Sequence, residues 1–262
     1  MESLLKALKA VAEPTRIRLL AIVADGECNV SELTAIVSQS QPRVSRHLKL
    51  LVDAGLIERH KEGNWVLFRL ARADIAADIL RHIPADDPLV LRDRERLAAI
   101  KAKRREAAEA YFSKVASSWS AVRSLHIDEK AVEAALAAMI GKAPVNRLVD
   151  LGTGTGRMLE LFAPYAREAV GVDANREMLA LARVAIERGG LLNAQVRLAD
   201  VADLPLPDRS SDLVIVHQVL HFLDNPYEAI AEARRVLAPN GRLVVVDLGP
   251  HDREFLREEH AH

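Results

Sequence analysis

The sequence predicts an α/β domain built on a parallel sheet, preceded by a smaller, mainly helical domain that ends in a β-hairpin. Three observations carry this. From residue 145 onward, short continuous apolar runs alternate with segments of helical period, the pattern of strands buried on both faces. The first complete run, Leu148-Val149-Asp150-Leu151, feeds into the alternation Gly152-Thr153-Gly154-Thr155-Gly156, a turn too tight for side chains. Before residue 84, four segments of helical period are followed by two runs rich in β-branched and aromatic residues around Lys61-Glu62-Gly63-Asn64, a combination that reads as a hairpin.

Composition sets the outer limits. At 262 residues the chain is long for one core and comfortable for two. Lys and Arg number 36 against 37 for Asp and Glu, a net charge of −1, so any nucleic-acid surface must be local. The single cysteine, Cys28, excludes an intramolecular disulfide and a multi-thiolate metal site within one chain. The amphipathic start has no apolar signal core, and no run approaches the roughly 20 apolar residues of a membrane span. A cytoplasmic protein with no membrane partner is expected.

In the first domain, residues 1–84, Leu4, Leu5, Leu8 and Val11 recur at helical spacing, and the helix they form ends near Glu13-Pro14. Pro14 opens a second helix that Asp25-Gly26 stops, and Val30 to Val37 gives a third. After the polar turn Ser38-Gln39-Ser40, Gln41-Pro42 begins a fourth, with proline where its missing N–H costs nothing. Val44, Leu48 and Leu51 fall at i, i+4 and i+7, leaving Arg43, Ser45, Arg46, His47 and Lys49 for the other faces. From Ser38 to Val52 there is no acid. Two helices joined by a short polar turn, the second basic outside, followed by the strands Leu56–Arg59 and Trp65–Leu70, make a winged helix-turn-helix. Arg43 and Arg46 are candidates for base edges or phosphates, Ser40, Gln41 and Ser45 for reading bases or positioning the helix, and His47 joins them as a DNA-binding candidate. Lys61 and Asn64 of the wing would reach flanking phosphates. The expected partner is double-stranded operator DNA.

Glu13-Pro14-Thr15-Arg16-Ile17-Arg18, Gln41-Pro42-Arg43-Val44-Ser45-Arg46-His47-Leu48 and Ala54-Gly55-Leu56-Ile57 resemble the ArsR/SmtB repressors. That resemblance implies a homodimer. The chain departs from the metal-sensing members: Asn29-Val30-Ser31 stands where they place Cys-Val-Cys, and His82 has no second histidine close by. No metal site is expected, and Cys28 reads as a small buried apolar residue.

The connector, residues 85–143, opens with the chain break Asp86-Asp87-Pro88. Arg92 to Ser120, free of Gly and Pro, predicts one long helix. Its cluster Lys101, Lys103, Arg104 and Arg105 reads as a solvated spacer face or as a DNA contact. Tyr111-Phe112 with Trp119 resembles the aromatic lead-in helix of many class I methyltransferases, which implies a lid over the cofactor, and core packing is the alternative. A further amphipathic helix spans Asp128 to Ile140.

In the second domain, residues 144–262, strands are expected at Arg147–Leu151, Ala169–Val172, Gln195–Leu198, Leu213–Val216 and Arg242–Leu248, with helices at Met158–Tyr165, Arg176–Arg188 and Glu228–Leu237. Ligands of such sheets bind outside the carboxyl ends of the strands, where Gly152, Asp173, Asp200 and His217 fall. Asp173 ends the second apolar run, seventeen positions after Gly156, placed to accept from ribose hydroxyls.

Val149 to Gly156 resembles motif I of class I S-adenosylmethionine-dependent methyltransferases, a Rossmann-like fold. Its G-x-G-x-G spacing differs from that of dinucleotide binders, so NAD is the second choice of ligand. Asp173, Asp200-Val201 and the turn Leu237–Arg242 resemble later motifs of the same family. The resemblance implies S-adenosylmethionine or S-adenosylhomocysteine as cofactor, held by Asp150, Gly152, Thr153, Gly154, Gly156, Asp173, Ala174, Asp200, Val201 and His217. Met178 packs either on adenine or in the core.

His217 and His221 lie four apart, on one face if Val216 to Leu223 is helical, with Asp224 near. They are the candidates for a catalytic base. The family's further antiparallel strands have no counterpart before the charged end Arg253 to His260, so the domain reads as truncated or differently edged. The expected function is a transcription repressor sensing the adenosyl nucleotide and controlling methyl-cycle genes. The alternative is an active small-molecule methyltransferase with an autoregulatory DNA-binding domain.

Overall fold

The computed structural model describes residues 1–62, 65–71, 74–123 and 129–247, with side chains for all of these except 74 and 112–123. It divides into two compact units, Met1–Arg104 and Arg105–His262.

The first unit contains α1 (Glu2–Val11), α2 (Pro14–Ala24), β1 (Cys28–Asn29), α3 (Val30–Val37), α4 (Gln41–Asp53), β2 (Ile57–Glu62), β3 (Trp65–Leu70), α5 (Asp74–Arg81) and the first part of α6 (Pro88–Arg123). Local chemistry sets the helix starts. Pro14 occupies the first turn of α2 while the Glu13 carboxylate accepts from the Arg16 amide at 2.9 Å. Asn29 and Glu32 form a reciprocal capping box on α3. The core is a cluster that includes Leu19, Leu20, Leu33, Ile36, Val44, Leu48, Leu51 and Phe68. The expected hairpin is present, β2 pairing antiparallel with β3. A third strand that the sequence reading lacked, β1, pairs Cys28 with Phe68, and Cys28 is fully buried there.

The second unit continues with α7 (Glu129–Ile140), β4 (Val145–Leu151), α8 (Arg157–Phe162), β5 (Ala166–Asp173), α9 (Arg176–Arg188), β6 (Ala194–Leu198), β7 (Ser211–His217), α10 (Pro226–Val236) and β8 (Leu237–Val246). The sheet order is β6-β5-β4-β7-β8, every pairing parallel. Side chains alternate between two cores. Leu148, Leu213 and Ile215 join α8 and α9 on one face, and Val149, Leu151, Val214 and Val216 join α10 on the other. The order reverses between β4 and β7, the position where such sheets open a crevice. β8 starts earlier than expected, at Leu237, and runs through Pro239-Asn240-Gly241 with a bulge opposite Ser211/Leu213. The C-terminal segment from Leu248, including Arg253 to His260, lies outside the described residues. No helix among the described residues is long and apolar enough to cross a membrane.

Candidate functional site

The loop after β4 is shaped by two different demands on glycine. Gly152 has φ 65°, and a Cβ there would come within 2.3 Å of a Val219 methyl, so both backbone and space forbid a side chain. Gly154 also has positive φ, 52°, yet a Cβ there would meet nothing within 4 Å. The loop is thus closed against the β7 side at Gly152 and open at Gly154. Gly156 precedes the first residue of α8 with φ 85°, and Thr153 packs against Gly171 of β5.

Asp173, at the tip of β5, ties two loops together. Its Oδ2 accepts from the Gly154 amide and its Oδ1 from the Asn175 amide, both at 2.8 Å. Each carboxylate oxygen keeps acceptor capacity beyond these bonds. Ala174 is exposed and Met178 buried one helical turn on. Asp200 is exposed, accepts from the Ala202 amide at 2.9 Å, and precedes the buried Val201. Asp150 differs from these acids. It is buried, accepts from the Thr153 hydroxyl at 2.6 Å, and has its carboxyl pushed up to about 7 by burial, with Asp173 adding to the rise and the Thr153 bond opposing it.

The two histidines do not share a helical face. β7 ends at His217, Gln218 takes a left-handed φ of 55°, and only a single 3-10 turn follows at Leu220–Phe222. Burial pushes the His217 imidazole below its ordinary pKa against the pull of Asp247, Glu129 and Glu133. His221 Nδ1 pairs with Asp247 Oδ1 at 2.5 Å, and Asp247 Oδ2 accepts from the amides of Val219 and Leu220 at 3.0 and 2.7 Å. The acid beside His221 is therefore Asp247 and not Asp224. Sequence reading missed it, although Val244-Val245-Val246-Asp247 repeats the signal of an apolar run ending in an acid. Among the described residues no three His, Cys, Asp or Glu side chains converge as a metal set.

On α4 the predicted stripe is buried as Val44, Leu48 and Leu51, while Ser40, Gln41, Arg43, Ser45, Arg46 and Lys49 are exposed. His47 is a correction. It is 8% exposed, its Nδ1 lies 3.8 Å from Glu13 Oε2, and neither ring nitrogen has a hydrogen-bond partner among the described residues. Burial lowers its pKa against the pull of Glu13. Lys61 is exposed on β2, and Asn64 lies outside the described residues.

Two cations of the connector are spent inside the first unit. Lys101 Nζ donates to Asp25 O at 2.5 Å, and Arg104 binds the Glu32 carboxylate at 3.0 and 2.6 Å. Lys103 and Arg105 are exposed, which suits a solvated face and a DNA contact equally. Tyr111 is half-buried, and the side chains of Phe112 and Trp119 lie outside the described residues.

Comparison with known proteins finds two matches within the chain. Residues 13–59 match the family described as bacterial regulatory protein, arsR family, and residues 149–245 match a methyltransferase domain. The chain is 33% identical over 102 residues to the uncharacterized methyltransferase YcgJ of Bacillus subtilis, 39% of this chain and 40% of that one. It is 44% identical over 114 residues to the demethylmenaquinone methyltransferase of Thermus thermophilus, 42% of this chain and 50% of that one. The chain thus spans half or less of these relatives' length. The crystal structure of Bacillus subtilis YcgJ aligns with a TM-score of 0.44 at 29% identity, covering 48% of this chain and 54% of that one.

Proposed function

From one chain that carries an arsR-family helix-turn-helix region and a class I methyltransferase domain, we propose a cytoplasmic transcription repressor. It reads operator DNA with α4 and the wing, and senses S-adenosylmethionine or S-adenosylhomocysteine in the crevice above β4, β5 and β7. The observation that carries this reading is the presence in one chain of an exposed α4 surface without acids from Gln41 to Val52 and of the Gly154–Asp173 loop junction.

The crevice residues fit the nucleotide. The open backbone at Gly154 admits the ligand's close approach, Asp173 accepts from ribose hydroxyls, and exposed Asp200 with Val201 faces the adenine edge. Met178 is available to pack on the ring, and His217 closes the β7 side. When bound, S-adenosylmethionine supplies a methyl group on a sulfonium, and S-adenosylhomocysteine lacks it. A ligand of either kind alters DNA affinity by its differential affinity for two states of the protein.

The working form is a homodimer. An apolar groove of about 610 Å³ is lined by Leu4, Leu8, Val11, Ile17, Ile79 and Leu89, with Leu4, Leu5 and Leu8 each about half exposed. A second copy offers the same leucines back, as a two-fold interface requires. Control of methyl-cycle genes belongs to this proposal through the family resemblance alone.

Calorimetry with each nucleotide, with and without DNA, tests the reading. Binding of one nucleotide that changes when DNA is present supports it, and no affinity for either overturns it. The His221–Asp247 pair favours a second reading, methyl transfer to a small molecule with the first unit serving autoregulation. Labelled methyl transfer to a metabolite, lost on Asp173→Ala, would establish that instead.

A further inference from the structure

The geometry points to Arg96 and Asp93 of α6 as positioning residues for DNA recognition, which hold the elbow between α3 and α4 from outside the helix-turn-helix. α3 ends at Val37 and is capped by Ser38, a left-handed residue with φ 54° and ψ 48°, and α4 begins three residues after that cap at Gln41. The last carbonyls of a helix have no partner within it. Here they are taken by guanidinium groups, whose charge also suits a helix C-terminus. Arg96 Nη1 donates to Ile36 O and to Ser38 Oγ, both at 2.6 Å. Arg18 Nη2 donates to Val37 O at 3.4 Å.

Arg18 stays buried because α6 supplies its counter-ion. Asp93, 2% exposed, receives both Nε and Nη2 of Arg18 at 2.6 and 2.7 Å, the two-pronged geometry that fixes direction as well as distance. At the opposite end of α3, Arg104 holds Glu32, the acid of the capping box. α3 is therefore gripped at both termini by one helix, and it cannot tilt without breaking several charge-assisted bonds. α4 inherits that constraint through the three-residue turn Ser38-Gln39-Ser40, whose Gln39 side chain donates to Thr15 Oγ1 at 2.8 Å. α6 acts on recognition through the elbow and needs no contact with DNA. Since α6 continues past Arg104 to Arg123, it is also the covalent route by which nucleotide binding in the second unit would bias α4. That last clause rests on the repressor reading, and the positioning role does not.

The test uses the full chain with Arg96→Ala, Arg96→Lys and Asp93→Asn. Two duplexes serve as probes, one selected by the wild type from a random pool and one of unselected sequence. Amide hydrogen exchange is read in parallel. Arg96→Ala is expected to speed exchange at Ser38 to Ser40 with α1 unchanged, and to weaken the selected duplex about tenfold, the scale of one lost base contact. Binding to the unselected duplex and its salt dependence should stay within about twofold, since the phosphate contacts survive. Arg96→Lys should restore both signals, because a single nitrogen makes both bonds. Asp93→Asn, which keeps the side chain's shape, should reproduce the exchange effect. Unaltered exchange at the elbow, equal loss on both duplexes, or failure of lysine to rescue would each overturn the proposal. If the wild type responds to neither nucleotide while Arg96→Ala still behaves as described, the sensing reading falls and the positioning role stands.

Discussion

The amide of Gly154 donates to Asp173 Oδ2 across 2.8 Å, joining the loop after β4 to the tip of β5. The carboxylate that would receive the ribose is thus also what holds the glycine loop in register. Asp173→Ala removes the side-chain acceptor of two amides, and of the ribose in the proposed complex. Nucleotide affinity should fall at least tenfold by calorimetry. Asp173→Asn, which keeps one oxygen acceptor, should lose less.

Gly152 and Gly154 separate strain from obstruction. Alanine at either meets the left-handed penalty of about 1–2 kcal/mol. At Gly152 the new methyl also collides with Val219, 2.3 Å away, whereas at Gly154 it enters open space. Gly152→Ala should therefore lower the melting temperature more, and Val219→Ala in the same chain should recover part of the loss. Gly154→Ala should be the milder variant in melting and the more damaging one in nucleotide binding per degree lost.

Asp150 imposes a pH dependence whose sign follows from its environment. Its folded pKa of about 7 lies above the ordinary carboxyl value, so the folded chain holds a proton that the unfolded chain releases. The contribution to stability is complete below about pH 4 and is lost as pH rises through 7, on the order of 4 kcal/mol across the interval. Urea unfolding of the second unit's signal between pH 5 and 8 should show this decline. Asp150→Asn, which cannot ionise, should flatten it.

Much of this architecture was legible because periodicity and breakers agreed. α4 runs from Gln41 to Asp53, as Pro42 and the Val44, Leu48, Leu51 spacing imply, and α9 matches its predicted range. His47 was misplaced for a physical reason. It stands at i+3 from Val44, on the buried stripe, and its polar type hid a position that the period assigns to the core. β1 has two residues, too few to show alternation. The His221–Asp247 pair spans 26 positions, and the grip of α6 on α3 joins residues about 60 apart. Pairings of that range leave no local periodicity to read.

Two ion pairs of the first unit should differ sharply in worth. Asp93 and Arg18 have side chains 2% and 10% exposed, while Glu58, paired with Arg69, is 46% exposed. Removing one partner of a buried pair strands the other charge and costs about 3–5 kcal/mol. An exposed pair contributes about 0–1 kcal/mol. Asp93→Ala should lower the urea midpoint strongly, and Glu58→Ala should barely move it.

Arg46 and His47 are neighbours in sequence with opposite surroundings, and DNA titrations should tell them apart. Arg46 is exposed within the acid-free stretch Gln41 to Val52 of α4, so Arg46→Ala should weaken DNA binding. If it holds a phosphate, the loss will be uniform across sequences and the salt slope will drop by about 1; if it reads a base edge, the loss will fall on selected duplexes at about 1–3 kcal/mol. His47 lies inside with both ring nitrogens lacking hydrogen bonds to described residues, so His47→Leu replaces an imidazole that gains little from its site. That variant should keep both affinity and salt slope, and its melting temperature should hold or rise. A fall in DNA affinity for His47→Leu without a fall in stability would return this side chain to the reading surface.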